Sequence, residues 1–93
     1  MEVKDLIWKD NVSEIDKANG FIDLRSKDEA LCLEFFISNT DHTLKPFTDK
    51  FRLILVVNRM YYAHDKFHPT IEECKKQSQE LYRDIILNAF FKK

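Results

Sequence analysis

A single glycine in 93 residues, Gly20, sets the first limit on what this chain can fold into. Only Pro46 and Pro69 join it as turn-forming punctuation. Tight hairpin turns draw on glycine because their commonest two-residue types need positive φ. The shortage therefore predicts a mainly α-helical fold: one small single-domain bundle over residues 1–93, ending in a long amphipathic C-terminal helix. A short antiparallel sheet packed by that helix is the alternative. Phosphate-cradling loops, which need several glycines for close backbone approach to the anion, are excluded on the same ground.

A chain of this length buries roughly 60–65% of its unfolded surface and forms one modest core. Hydrophobic residues at 44%, with eight phenylalanines, supply it. Net charge is -1, which predicts no general attraction to nucleic acid or to an anionic membrane. The charge is unevenly placed: residues 1–47 carry six Lys/Arg against ten Asp/Glu, and residues 48–93 carry nine against six. Packed halves of opposite sign, or an oriented association with a partner, both fit that asymmetry.

No basic-then-apolar leader opens the sequence, and its longest purely aliphatic run, Leu53 to Val57, is too short to span a bilayer. Cys32 and Cys74 sit in no C-x-x-C pair. A cytoplasmic location with reduced thiols is the expectation, and both cysteines read as small core residues.

The last element is the clearest. Thr70 and Glu73 form a capping box behind Pro69, and Ile71, Cys74, Ser78, Leu81, Ile85 and Ala89 recur at three- and four-residue steps, predicting a helix over 71–91. For the middle, Thr48 and Asp49 offer a helix start, and Arg52, Arg59 and Lys66 fall seven apart, on one helix face. A helix over 49–65 follows, against the strand preference of Val56 and Val57. Ser26 with Glu29 is a second capping box and points to a helix through Ala30–Ile37. The competing hairpin would put Leu31, Leu33, Phe35 and Ile37 on one face. Ser13 with Asp16 reads as a further helix start closed by Asn19-Gly20, Val3, Leu6 and Ile7 form a short amphipathic stretch before Trp8, and residues 39–47 read as a polar loop. In hydrophobic spacing, Trp8 with Val12 and Ile15, then Leu33–Ile37, Leu53–Tyr62 and Leu81–Ile85, resembles the helix order of the first half of regulator-of-G-protein-signalling domains. No residues here match that family's G-protein contacts, and membership is not inferred.

Chemistry-bearing motifs are sparse. His64 and His68 lie four apart beside Asp65, the helix spacing for two metal ligands, but Pro69 pushes His68 out of a helix and no third ligand is evident. No metal and no cofactor is expected. The serines at 13, 26, 38 and 78 lack a G-x-S-x-G elbow, and Cys32, set between Leu31 and Leu33, reads as an inert buried thiol rather than a partner for His42, His64 or His68. No catalytic residue and no enzyme is expected.

The surplus of large apolar groups is the better clue. Trp8, Tyr61, Tyr62, Phe90 and Phe91 exceed what a small core encloses and are the expected anchors of a protein interface, with another protein or a second copy as partner. The expected function is a small cytoplasmic protein-protein interaction module, a stoichiometric inhibitor or adaptor acting by binding. The alternative is a nucleic-acid-binding module using Arg52, Arg59, Lys66, Lys75 and Lys76, with Tyr61, Tyr62 and Phe67 interleaved. Near-neutral charge makes nucleic acid the lesser partner, and no membrane partner is expected.

Overall fold

The computed structural model describes residues 3–40 and 46–91, with side chains up to Asn88. Five antiparallel strands, β1 (Lys9–Asp10), β2 (Asp23–Asp28), β3 (Leu33–Ser38), β4 (Phe51–Val57) and β5 (Tyr61–His68), lie side by side in chain order. A short helix, α1 (Glu14–Ala18), joins β1 to β2, and a long one, α2 (Ile71–Phe91), follows β5. The mainly helical expectation is overturned, since among the described residues α2 is the one long helix and strands β2 to β5 fill the middle.

The physical reason is visible in β3 and β4. Leu33, Phe35 and Ile37 are buried while Glu34, Phe36 and Ser38 are half-buried, a strict period of two. β4 repeats it, with Leu53 and Leu55 buried, and its β-branched Val56 and Val57 suit a pleated surface. The expected helix over 49–65 is instead the β4–β5 hairpin, and the expected helix through 30–37 is the β2–β3 hairpin. Ser26 is no cap but a buried strand residue paired with Phe35. Two of the segments that suggested the regulator-of-G-protein-signalling order are therefore strands.

Turns form here without glycine. Asn58 and Arg59 both take positive φ, 54° and 63°, and Met60 N–H donates to the Val57 carbonyl at 3.2 Å. Those are the marks of a type I′ turn, the one whose twist matches antiparallel strands. Asparagine tolerates that region through its short polar side chain, whereas arginine there costs about 1–2 kcal/mol. At the β2–β3 loop the left-handed position is Cys32, φ 54°, with Leu31 N–H donating to Asp28 Oδ1 at 3.2 Å. Cys32 is exposed, contrary to the core role expected of it, while Cys74 is buried. Gly20, φ 87°, sits just past α1, whose N-cap Ser13 accepts from Asp16 N–H, as its motif predicts.

α2 begins at the expected cap, with Glu73 N–H donating to Thr70 Oγ1 at 3.1 Å. Every fourth residue from Cys74, namely Ser78, Tyr82 and Ile86, is buried against Leu33, Phe35, Ile37, Leu53 and Leu55. One face of the sheet is thereby covered. Residues 3–8 run as an irregular strap on the same core, with Val3, Leu6 and Trp8 packed inward and Gln79 holding it through Leu6 N–H (2.9 Å) and the Lys4 carbonyl (3.0 Å). Among the described residues no helix is long and apolar enough to cross a membrane.

One polar contact ties the helix to the β2–β3 end. Tyr82 Oη donates to Asp28 Oδ2 at 2.5 Å, holding the Asp28 carboxyl below its ordinary value, while burial and then that carboxylate push the phenol up to about 12. The two shifts describe a single hydrogen bond. Because the folded-state pKa of Asp28 is depressed, its contribution is full above the unfolded carboxyl value of about 3.9 and fades as pH falls through the lower folded value. Tyr82→Phe should therefore cost about 1.5–3 kcal/mol at pH 7, in the range of hydrogen bonds to charged groups. Urea unfolding from pH 7 to pH 2 should show the gap from wild type closing in acid; a constant gap would mean that packing, not the bond, was lost.

Candidate interaction face

The face of the sheet opposite α2 is assembled in cross-strand rows. Register aligns Arg25, Phe36, Ile54 and Asp65 in one row, Lys27, Glu34, Val56 and Tyr62 in the next, and Asp23, Ser38, Arg52 and Phe67 in a third. No described helix covers these rows, because the buried residues of α2 all pack on the opposite face. Phe36, Ile54 and Val56 stand at the centre half-buried, and Tyr62 and Phe67 on the edge strand are 61% and 46% exposed. A one-sided antiparallel sheet ordinarily turns a polar face to water, so an apolar centre on that side is the departure to explain.

The tilt of β5 depends on one irregularity. Leu55 pairs with His64 and Val56 with Tyr62, leaving Ala63 as an extra residue in a bulge. That single insertion puts Tyr62, Asp65 and Phe67 on the outer face together, where a regular strand would have sent Tyr62 to the side opposite Asp65. It also blunts the edge strand against pairing with another chain.

Arg52, Asp65, Arg25 and Asp23 on this face are engaged with one another or with a ring. Arg52 grips Asp65 through Nε to Oδ1 at 2.8 Å and Nη2 to Oδ2 at 2.7 Å, and this fork lowers the Asp65 pKa. Arg25 lies 5.1 Å above the Phe36 ring and 3.5 Å from Asp23. At the rim Phe47 meets Phe67 edge to face, centroids 5.7 Å apart, and Lys50 Nζ stands 4.6 Å from each ring centre. Toward β1 the face includes an open groove of about 520 Å³ bordered by Ile7, Lys9, Asn11, Arg25, Lys27 and Glu34.

The residues expected from sequence are dispersed. Trp8 is half-buried and turned inward, edge-on to Phe35 at 6.4 Å, so it serves the core. Tyr61 and Tyr62 are exposed at the start of β5, with Tyr62 in the outer rows and Tyr61 opposite Val57 on the other side. Phe90 and Phe91 belong to α2 by backbone, and their side chains lie outside the described residues. Of the cations named for nucleic acid, Arg52 is on the outer face, Arg59 at the hairpin tip, Lys66 opposite Leu53 on the helix side, and Lys75 and Lys76 exposed on α2. They do not form one stripe.

Sequence reasoning missed Phe36, Ile54 and Val56. The signal was their place as the second, equally apolar set in two alternating runs, Leu33–Ser38 and Phe51–Val57, legible only once those runs are taken as strands. Comparisons with protein-family models, with curated proteins and with solved structures find no match for this chain.

Proposed function

We propose that this chain is a non-catalytic protein-binding module, a small adaptor or stoichiometric inhibitor, whose contact face is the outer face of the sheet. The observation that carries the reading is the apolar centre of that face, Phe36, Ile54 and Val56 with Tyr62 and Phe67 beside it, left uncovered by α2. The partner is a protein presenting an apolar surface of low net charge. Arg25 and Arg52 already face carboxylates and a ring, so the face offers rings and ion pairs to a protein rather than a run of cations to phosphates. Strands about 4.8 Å apart rising about 3.3 Å per residue make a platform roughly 20 Å on a side, toward the small end of specific interfaces. A transient contact follows. Two free cysteines, one of them the exposed Cys32, suit a reducing compartment such as the cytoplasm.

Ile54→Lys and Phe67→Glu, each made in the full chain, test the face. A partner captured from source-cell lysate, then purified, should bind wild type and bind each variant at least tenfold more weakly, with far-UV circular dichroism unchanged. Lys75→Glu with Lys76→Glu should leave affinity within about twofold. Undiminished binding by both face variants would sink the assignment. Capture abolished by nuclease and steeply weakened by salt would replace it with nucleic-acid binding, and a concentration-dependent dimer broken by Ile54→Lys would make the partner a second copy.

A further inference from the structure

β5 carries a second feature that the contact face does not use. His64 and His68 stand opposite Leu55 and Phe51, which puts both on the helix side of the strand, with Lys66 between them in register. Both are half-buried. Their Nε2 atoms lie 3.4 Å apart, the ring planes within 10° and the centroids 5.6 Å apart. A centroid separation that much longer than the nitrogen separation means that the rings meet nitrogen to nitrogen, edge to edge, not face over face.

Two neutral imidazoles in that arrangement share one proton: one Nε2 donates and the other accepts. A metal ion can take the place of that shared proton. Zn–N bonds of about 2.0–2.1 Å at a tetrahedral angle hold two nitrogens about 3.3–3.4 Å apart, the separation this pair already has, once each ring swings off the nitrogen-to-nitrogen line so that both lone pairs meet at the ion. We propose that His64 and His68 form a bidentate site for a divalent transition-metal ion of imidazole preference, Zn²⁺ foremost, with the remaining positions taken by water.

Lys66, between the two rings in register, is the adverse neighbour, a cation beside a cation site. Asp65 is bound by Arg52 on the other face, and the Cys74 thiol points to the Phe51 carbonyl at 3.8 Å, so neither serves as a third donor. Among the described residues no group of three His, Cys, Asp or Glu side chains is placed to hold a metal, which makes this a two-ligand chelate and limits its affinity.

The test is titration of the full chain with ZnCl₂ at pH 7.5, read by calorimetry and by imidazole ¹⁵N shifts. One ion per chain is expected, with the Nε2 resonances of His64 and His68 moving together in wild type, a readout that needs no variant. His64→Gln and His68→Gln should each weaken binding at least tenfold while leaving the circular dichroism spectrum intact. No saturable binding to 1:1, or binding that moves neither ring and persists in the double variant, would overturn the site.

Discussion

Phe35→Ala is expected to cost about 3–5 kcal/mol, the range for deleting a buried aromatic ring. Domains of this size hold roughly 5–14 kcal/mol in total, so the variant should sit near the edge of folding at 37 °C. The size of the effect comes from position. Phe35 is fully buried at the middle of β3, between Ser26 on β2 and Leu55 on β4. Trp8 meets its ring edge-on from the N-terminal strap at 6.4 Å, and Tyr82 does so from α2 at 6.2 Å. Strap, sheet and helix thus converge on one side chain, and no single neighbour can relax into the space without loosening the other two. Phe36→Ala, one residue along and on the outer face, should cost less, about 1–2 kcal/mol, because its ring is only partly buried. Urea unfolding followed by Trp8 fluorescence separates the two, and equal costs would contradict the assignment of the faces.

How far the sequence reveals this architecture depends on which rule is given weight. The C-terminal helix was legible because three independent signals agree: a capping box at Thr70 and Glu73, a proline before it, and a periodic stripe after it. Even there the expected stripe runs through Leu81 and Ile85, whereas the buried positions are Tyr82 and Ile86, with the Tyr82 hydroxyl donating to Asp28. The sheet is hard to see in the sequence, because a single glycine suggests few tight turns. Backbone geometry requires positive φ, not glycine, and Asn58, Arg59 and Cys32 supply it at a modest cost that cross-strand pairing offsets. The alternation in Leu33–Ser38 carried the truth, but a Ser-x-x-Glu pattern at 26–29 mimics a cap and drew the reading toward helix. The C-terminal sheet-packing helix and the strand pattern together describe the alternative weighed beside the bundle. The contact face was the least legible, because Ala63 decides which side Tyr62 occupies and no local signal announces a bulge.

Asn39→Leu is the second large effect, about 3–5 kcal/mol, and it links stability to the contact face. Asn39 is 3% exposed just after β3. Its Oδ1 accepts from Ile22 N–H at 2.8 Å, and its Nδ2 donates to the carbonyls of Gly20 at 2.9 Å and Phe47 at 3.2 Å. Its own carbonyl accepts from Phe47 N–H at 2.6 Å. Leucine fills a similar space but leaves three partly buried backbone groups without their side-chain partner, each bond worth roughly 1–1.5 kcal/mol. The side chain therefore joins the segment entering β2 to the segment returning toward β4. Phe47 carries that link to the outer face, meeting Phe67 edge to face and lying beneath Lys50 at its rim. Native-state hydrogen exchange should show the amides of Ile22 and Phe47 losing protection first in Asn39→Leu, ahead of Leu53 and Leu55 in the sheet centre. Ser38→Ala, the adjacent outward residue with one long bond to the Thr40 carbonyl at 3.5 Å, should stay within about 1 kcal/mol of wild type. Uniform loss of protection across all strands would instead make Asn39 part of the global core, and the rim of the contact face would then have no independent anchor. Selective loss, with weaker partner binding at temperatures where the sheet stays folded, would identify Asn39 as the residue that holds that rim in place.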